Sequence, residues 1–224
     1  WNTYRDINLQ IFTLYGNNAL LLADKCLDYS QYNRTYDSVT WETCSLRRYL
    51  NDTFKKIAFS LAEQDILIPN NVINSRANPY SYAEGGNNTV DDIFLLDIYE
   101  MTKNDYGFCE EKESVDTKYG CGISSNKRIG MFTDYANDGG TYNFKTQYMN
   151  SYWWLRSPGL TGYKAAYING GGCIDYSTTQ IVSIDENIIS YMGVRPTITI
   201  NLEDNATTYS KVGTVDEKSN YVIY

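Results

Sequence analysis

Histidine is absent from all 224 residues. Its absence removes Ser-His-Asp and Cys-His catalysis, histidine-ligated zinc or iron, and the commonest general base, which leaves carboxylates, Lys, Tyr and Cys for any reaction. Positive charge is scarce too: 19 Lys and Arg stand against 27 Asp and Glu, a net charge of −8. A chain so acidic lacks the basic face that nucleic-acid phosphates or anionic lipid require. Long apolar runs are missing, and Ala19 to Leu22 and Ile93 to Leu96 fall far short of a membrane span. Neither a nucleic-acid partner nor membrane insertion is expected. Cysteine is sparse, with five residues (Cys26, Cys44, Cys109, Cys121 and Cys173) and no CxxC pair, so a structural zinc site is not expected. Cys109 and Cys121 flank a polar loop and fit a disulfide; scattered free thiols acting as small apolar residues fit equally well. The chain opens at Trp1 without a Met, and so is expected to be an excised or processed piece.

What is present is apolar and aromatic. A content of 42% hydrophobic and 15% aromatic residues is globular, and the length supports a real core in one large or two small domains. The C-terminal quarter carries the strongest pattern. Two stiff apolar blocks, Trp153-Trp154-Leu155-Arg156-Ser157-Pro158-Gly159 and Gly193-Val194-Arg195-Pro196, bracket a glycine-threaded stretch of mixed character. In that interval Leu160, Tyr163, Tyr167, Asn169, Cys173, Asp175, Tyr176, Gln180, Ile188 and Tyr191 interleave polar, aromatic and aliphatic types. The flanks read as scaffold and the interval as presented surface, which points to a binding module rather than an enzyme.

Elsewhere, Leu9 to Leu14 and Ala19 to Ala23 flank Tyr15-Gly16-Asn17-Asn18, a hairpin pattern. Thr40 suits the cap of a helix running to about Ala58, with Leu46, Tyr49, Leu50, Phe54 and Ile57 as its buried stripe. Asn51-Asp52-Thr53 leaves two short helices as the alternative. Ala62 to Leu67 adds a turn ended by Pro69, Asn70 to Val90 reads as a surface loop, and Asp97 suits a cap for a helix through Met101. Lys103 to Arg128 reads as another long loop. Thr197 to Leu202 alternates as a strand, with Pro196 at its start. The sum is α+β, with short strands, one or two helices and much irregular chain. Residues 1–203 form the expected domain, and 204–224 read as a polar tail with the composition of a mobile segment.

The blocks Trp153 to Gly159, Ala165-Ala166-Tyr167-Ile168 and Gly193 to Pro196 resemble a bacterial family labelled as a domain of unknown function. Asn18 to Leu22, Thr40-Trp41-Glu42, Ser45-Leu46-Arg47 and Phe94-Leu95-Leu96 extend the resemblance from about Leu9 to Leu202. The family is similar to a branch of the C-type lectin fold with the formylglycine-generating-enzyme architecture, used by surface proteins and by variable proteins of diversity-generating retroelements. The resemblance implies short twisted strands and a ligand-binding surface over about 160–191. It also implies display outside the cell, on a cell surface or on a phage particle, and a protein or glycan ligand on another surface. The oxidase of that architecture uses a close pair of copper-binding cysteines, whereas Cys173 stands alone. The calcium-lectin triplets Glu-Pro-Asn, Gln-Pro-Asp and Trp-Asn-Asp are absent. No catalytic residue, metal or cofactor is therefore expected; an oxidase and a structural module of a larger surface protein are the competing readings.

Within the blocks, Trp153 and Trp154 read as core, and Arg156 and Arg195 as cations paired with carboxylates or backbone carbonyls. Ala166, Ile168 and Ile174 are expected to point inward and Tyr167, Asn169, Cys173 and Asp175 outward, with Gly170-Gly171-Gly172 as the hairpin connection. Exposed Tyr, Asn and Asp beside aliphatics is the mixture paratopes use, because Tyr offers area at low entropy cost. Asp134, Asn137, Asp138 and Gly139 read as solvated turn chemistry in preference to a calcium loop.

Overall fold

Gly16 and Asn17 turn the chain back on itself. Strands β1 (Asn8–Tyr15) and β2 (Asn18–Ala23) pair antiparallel, with Gly16 at φ 58°, a conformation glycine adopts without a Cβ penalty. The register slips between Ile11 and Thr13, a bulge at Phe12, whose ring lies 5.2 Å from that of Phe108 and 5.8 Å from that of Tyr106. The computed structural model describes residues 7–74, 82–103, 106–108, 128–139, 150–170, 172, 174–175, 191–202, 209–215 and 218–223. Its architecture is α+β, with open sheets and short helical segments.

One sheet has six strands in the order β14 (Tyr209–Val215), β15 (Lys218–Ile223), β1, β2, β13 (Thr197–Asn201) and β6 (Ile93–Phe94). The segment after 203, expected as a polar tail, thus supplies a hairpin, and β15 pairs with β1 from Asn8↔Val222 to Gln10↔Asn220. Main-chain hydrogen bonds complete the open edge of β1, and they need no apolar composition. β13 alternates as expected, but its Thr197 and Thr199 side is buried along with its Ile198 and Ile200 side.

The second sheet runs β11 (Ile174–Asp175), β10 (Ala165–Ile168), β9 (Trp153–Pro158), β12 (Tyr191–Val194) and β3 (Asp28–Gln31). Every residue of β9 is buried. β10 lies antiparallel to β9, whereas β12 is parallel to it at Gly193↔Trp153. Gly193 tolerates no side chain, because a Cβ there would stand 2.7 Å from Cys26 Sγ and 3.1 Å from Phe132. Two small ladders, β4 (Asn70–Val72) with β5 (Thr89–Asp91) and β7 (Gly130–Met131) with β8 (Asn150–Ser151), complete the strands. The first shows that the stretch Asn70 to Val90 starts and ends as paired strand.

The helical run is continuous but uneven. α1 (Ser45–Tyr49) is capped by the Cys44 thiol, which accepts from Arg47 N, while Thr40 O takes the amides of Thr43 and Cys44. A π-helical segment (Leu50–Phe54) follows and leads into α2 (Lys55–Ala58). Leu46, Leu50 and Phe54 are buried as expected, yet Ile57 is 49% exposed. The wider π turn delays the helix by part of a turn, so the stripe passes from Phe54 to the buried Phe59 and Ile57 swings to solvent. Asn51 fixes the break: its amide donates to Arg47 O and Ile93 O and its carbonyl accepts from Asp92 N and Ile93 N. α3 (Leu61–Asp65) carries a capping box from Ser60 and Glu63. Asp97 and Glu100 cap one another reciprocally at the 3₁₀ turn Glu100–Thr102. The Asp134 segment is one helical turn, α4 (Asp134–Asn137), capped by Thr133.

Among the described residues no helix is long and apolar enough to cross a membrane. Cys26 and Cys44 are buried, and Cys109 and Cys121 lie outside the described residues. The π register makes a direct prediction for urea unfolding. Leu50→Ala should cost about 2–5 kcal/mol, whereas Ile57→Ser should stay within about 0.5 kcal/mol; comparable losses would mean an unbroken α-helical stripe.

Candidate functional site

β9 and its anchors form the base. The indole N–H of Trp153 donates to Arg128 O (2.9 Å) and that of Trp154 to Ser30 O (2.8 Å), so both fully buried rings are satisfied by main chain. Arg156 donates from Nη1 to Leu95 O (2.7 Å) and to Glu100, and from Nη2 to Asp97 Oδ2 (2.8 Å). Arg195 donates from Nε to Ala23 O (2.7 Å) and lies over the Trp153 ring, 5.1 Å from its centroid. Both arginines are buried structural cations, as the sequence suggested. Burial works to discharge Glu100 and Arg156. Their mutual charge and hydrogen bonds outweigh it, holding Glu100 below the ordinary carboxylate value of 4.5 and raising Arg156 above its own.

The chain leaves this base at Pro158 and returns at Ala165 through a tight loop. Gly159 N donates to Lys164 O (2.8 Å) and Lys164 N to Thr161 O (3.0 Å). Val39 N donates to Gly162 O (2.9 Å), which draws the Tyr36–Thr40 stretch alongside. Gly162 permits the approach, because a Cβ there would meet Ser38 Oγ at 2.1 Å. The outcome is an outward aromatic face: Tyr36 and Tyr163 stack at 5.0 Å with planes 29° apart, 44% and 41% exposed, beside Leu160 at 42%.

The remaining candidates fall elsewhere. Tyr167, expected to point outward, is only 7% exposed. β10 lies between β9 and β11 with all four residues buried, so alternation does not select a solvent side, and the Tyr152 ring packs 6.0 Å from that of Tyr167. Asn169 is half-buried and its carbonyl accepts from Gly172 N (2.9 Å), with Gly172 at φ 79°; β10 and β11 pair antiparallel, and of the expected glycine connection Gly170 and Gly172 are described while Gly171 lies outside the described residues. Tyr191 is half-buried opposite Gln31, with its ring 5.9 Å from that of Tyr29. Burial, aided by Tyr191, pushes the Tyr29 hydroxyl up to about 12. Asp175 pairs through its backbone with Tyr167. Cys173, Tyr176, Gln180 and Ile188 lie outside the described residues.

Strand register divides the described candidates into two sets. Ala165 pairs with Pro158 and Ile168 with Trp153, so Leu160 and Tyr163 lie at one end of β9. Asn169 lies at the other, and so does Tyr191, two residues before the Gly193↔Trp153 pair. At the usual strand rise of about 3.3 Å per residue, the two ends stand about 17 Å apart. The interval is therefore not one patch among the described residues; Leu160 and Tyr163 make the exposed face, and Tyr36 joins them. Sequence reasoning missed Tyr36, since its distant polar loop reaches the site through tertiary contacts such as that of Val39 with Gly162.

Comparison with known proteins finds one family. Residues 16–202 match the model described as Domain of unknown function (DUF6273). No curated protein and no solved structure matches the chain.

Frame and face should respond differently to substitution. Trp154→Ala should lower unfolding free energy by about 3–5 kcal/mol, while Leu160→Ser and Tyr163→Ser, the second of which gives up the ring stack on Tyr36, should each lower it by no more than about 1.5 kcal/mol. Acid unfolding tests the ion pair. Because Glu100 has a depressed folded pKa, its contribution is complete above its unfolded value near 4.5 and disappears as pH falls through the lower folded value. Urea midpoints measured from about pH 2 to pH 7 should thus fall less steeply at the acid end in Glu100→Gln than in the wild type. Equal slopes would show that Glu100 is not held ionised by Arg156.

Proposed function

The chain belongs to the DUF6273 family, and from that premise we propose that it is a non-enzymatic ligand-binding domain displaying a variable surface on a C-type-lectin-like scaffold. The observation that carries the reading is the contrast across a single residue step. All of β9 is buried, and the loop that leaves it presents Leu160 and Tyr163 to solvent, stacked against Tyr36. A binding surface needs side chains that can change without unfolding their support, and a backbone already ordered before the ligand arrives. The hydrogen bonds within the 159–164 loop, and from Val39 to Gly162, supply that order. Tyrosines hinged on such a loop offer broad amphipathic contact with little rotamer entropy to lose.

In this reading the protein works outside the cell, on a cell surface or a phage particle, as a variable protein of a diversity-generating retroelement. Its ligand is a protein or glycan on another surface. It needs neither a cofactor nor a bound metal. The lack of histidine supports recognition over catalysis, as does the pairing of Arg156 with both Asp97 and Glu100.

Two measurements test this. A display library randomised at Tyr36, Leu160 and Tyr163 and panned against hen lysozyme should return folded, selective binders, whereas a library at Trp153, Trp154 and Leu155 should return none. Failure of the first library to stay folded would remove the proposal. In the DNA beside the gene, a near-identical template repeat differing only opposite adenines, next to a reverse transcriptase, is expected. A locus lacking both would remove the diversification claim and leave the binding claim standing.

A further inference from the structure

The stretch of chain that carries Tyr36 also borders a concavity. It is a cleft of about 610 Å³ between the Asn33–Thr35 stretch and the helical run from Ser45 to Thr53. That volume is within the range of small-molecule sites, roughly 300–1,000 Å³. Its charge runs against that of the molecule. Arg34, Arg47 and Arg48 line it with a single acidic residue, Asp52, in a chain whose net charge is −8. Asp52 is engaged by Lys56 one turn on, and Arg47 by Asp91, with Nε 2.6 Å from Oδ1. The Arg48 side chain is exposed and makes no hydrogen bond or ion pair among the described residues.

The walls are held before any ligand arrives. Asn33 accepts from Ser45 N (2.9 Å) and donates to Thr35 O (2.9 Å), and Arg34 N donates to Ser45 Oγ (2.8 Å). The Tyr49 hydroxyl donates to Asp28 Oδ2 (2.6 Å), and Asn51 spends its amide on Arg47 O and Ile93 O. Asn51, Asp52 and Thr53, which line the cleft, come from the π-helical segment. Such segments are rare and recur at functional sites.

We infer that this cleft binds a small molecule through an oxyanion group, whether phosphate, sulfate or carboxylate, with Arg48 as its principal charged contact. A guanidinium offers a planar fork of donors that matches two oxygens of any of these groups. The pinned walls keep the ordering cost low. The site is independent of the tyrosine face, and either can fail while the other stands.

Titration of ¹⁵N-labelled protein with inorganic phosphate, sulfate and acetate, and with glycerol as a neutral control, tests the inference at low ionic strength. At least one anion should give saturable shifts confined to the amides of residues 33–35 and 45–53, and the preferred anion identifies the group. Arg48→Gln should weaken that binding by about tenfold, the loss of one charge-assisted contact, with the melting temperature unchanged. Leu160→Ser and Tyr163→Ser should leave it intact. Shifts that never saturate, that scatter over every surface cation, that glycerol reproduces, or that survive Arg48→Gln would each overturn the assignment.

Discussion

The structure depends on keeping one charge satisfied in the interior. Arg156 sits in the middle of a fully buried strand, and an unpaired guanidinium there would be untenable. Two carboxylates answer it from one turn: Asp97 and Glu100 cap each other's backbone amides and thereby aim both side chains at the same cation. The backbone of the same residue is engaged as well. Arg156 N donates to Leu96 O (3.0 Å), and its carbonyl accepts from the buried Tyr32 hydroxyl (2.9 Å). β9 is thus clamped to the Leu95–Glu100 segment on one side and to the chain following β3 on the other. The loop at Pro158 therefore departs from a position that the surface residues themselves do nothing to hold.

That arrangement separates stability from display. Apolar burial and the two arginine anchors sit in β9, β12 and their neighbours, and the 159–164 loop is closed by its own main-chain hydrogen bonds. Side chains at Leu160, Tyr163 and Tyr36 are left with no structural duty beyond the ring stacking of the two tyrosines. The same economy recurs in the cleft, where Asn33, Tyr49 and Asn51 are used up in bracing and Arg48 is left to solvent. Both surfaces share the 33–36 stretch of chain. Asn33 to Thr35 line the cleft and Tyr36 stacks on Tyr163, so one loop supports two faces of different chemistry.

Several elements were legible in sequence because local rules govern them. Gly16-Asn17 demanded a hairpin, Asp97 demanded a cap, and adjacent tryptophans flanked by arginine demanded a core. Other features escaped because their causes are not local. Ile57 lies on the helical stripe by spacing, and only the four hydrogen bonds of Asn51, two of them with Ile93, reveal the π turn that moves it out. Tyr167 alternates like an exposed residue, but it is buried in the fold and the Tyr152 ring packs against its own. Residues 209–223 read as polar tail because polarity is a side-chain property, whereas pairing with β1 is a backbone one.

The order of residues alone determined the α+β class, the hairpin at the start, the apolar anchors and the absence of imidazole chemistry, since each follows from side-chain type and short-range periodicity. Tertiary structure alone decided which tyrosines meet solvent, and it set Leu160 and Tyr163 at the opposite end of β9 from Asn169 and Tyr191. The physical reason is that exposure and proximity are properties of what the rest of the chain covers. Strand register sums those long-range pairings into a position that no local window contains.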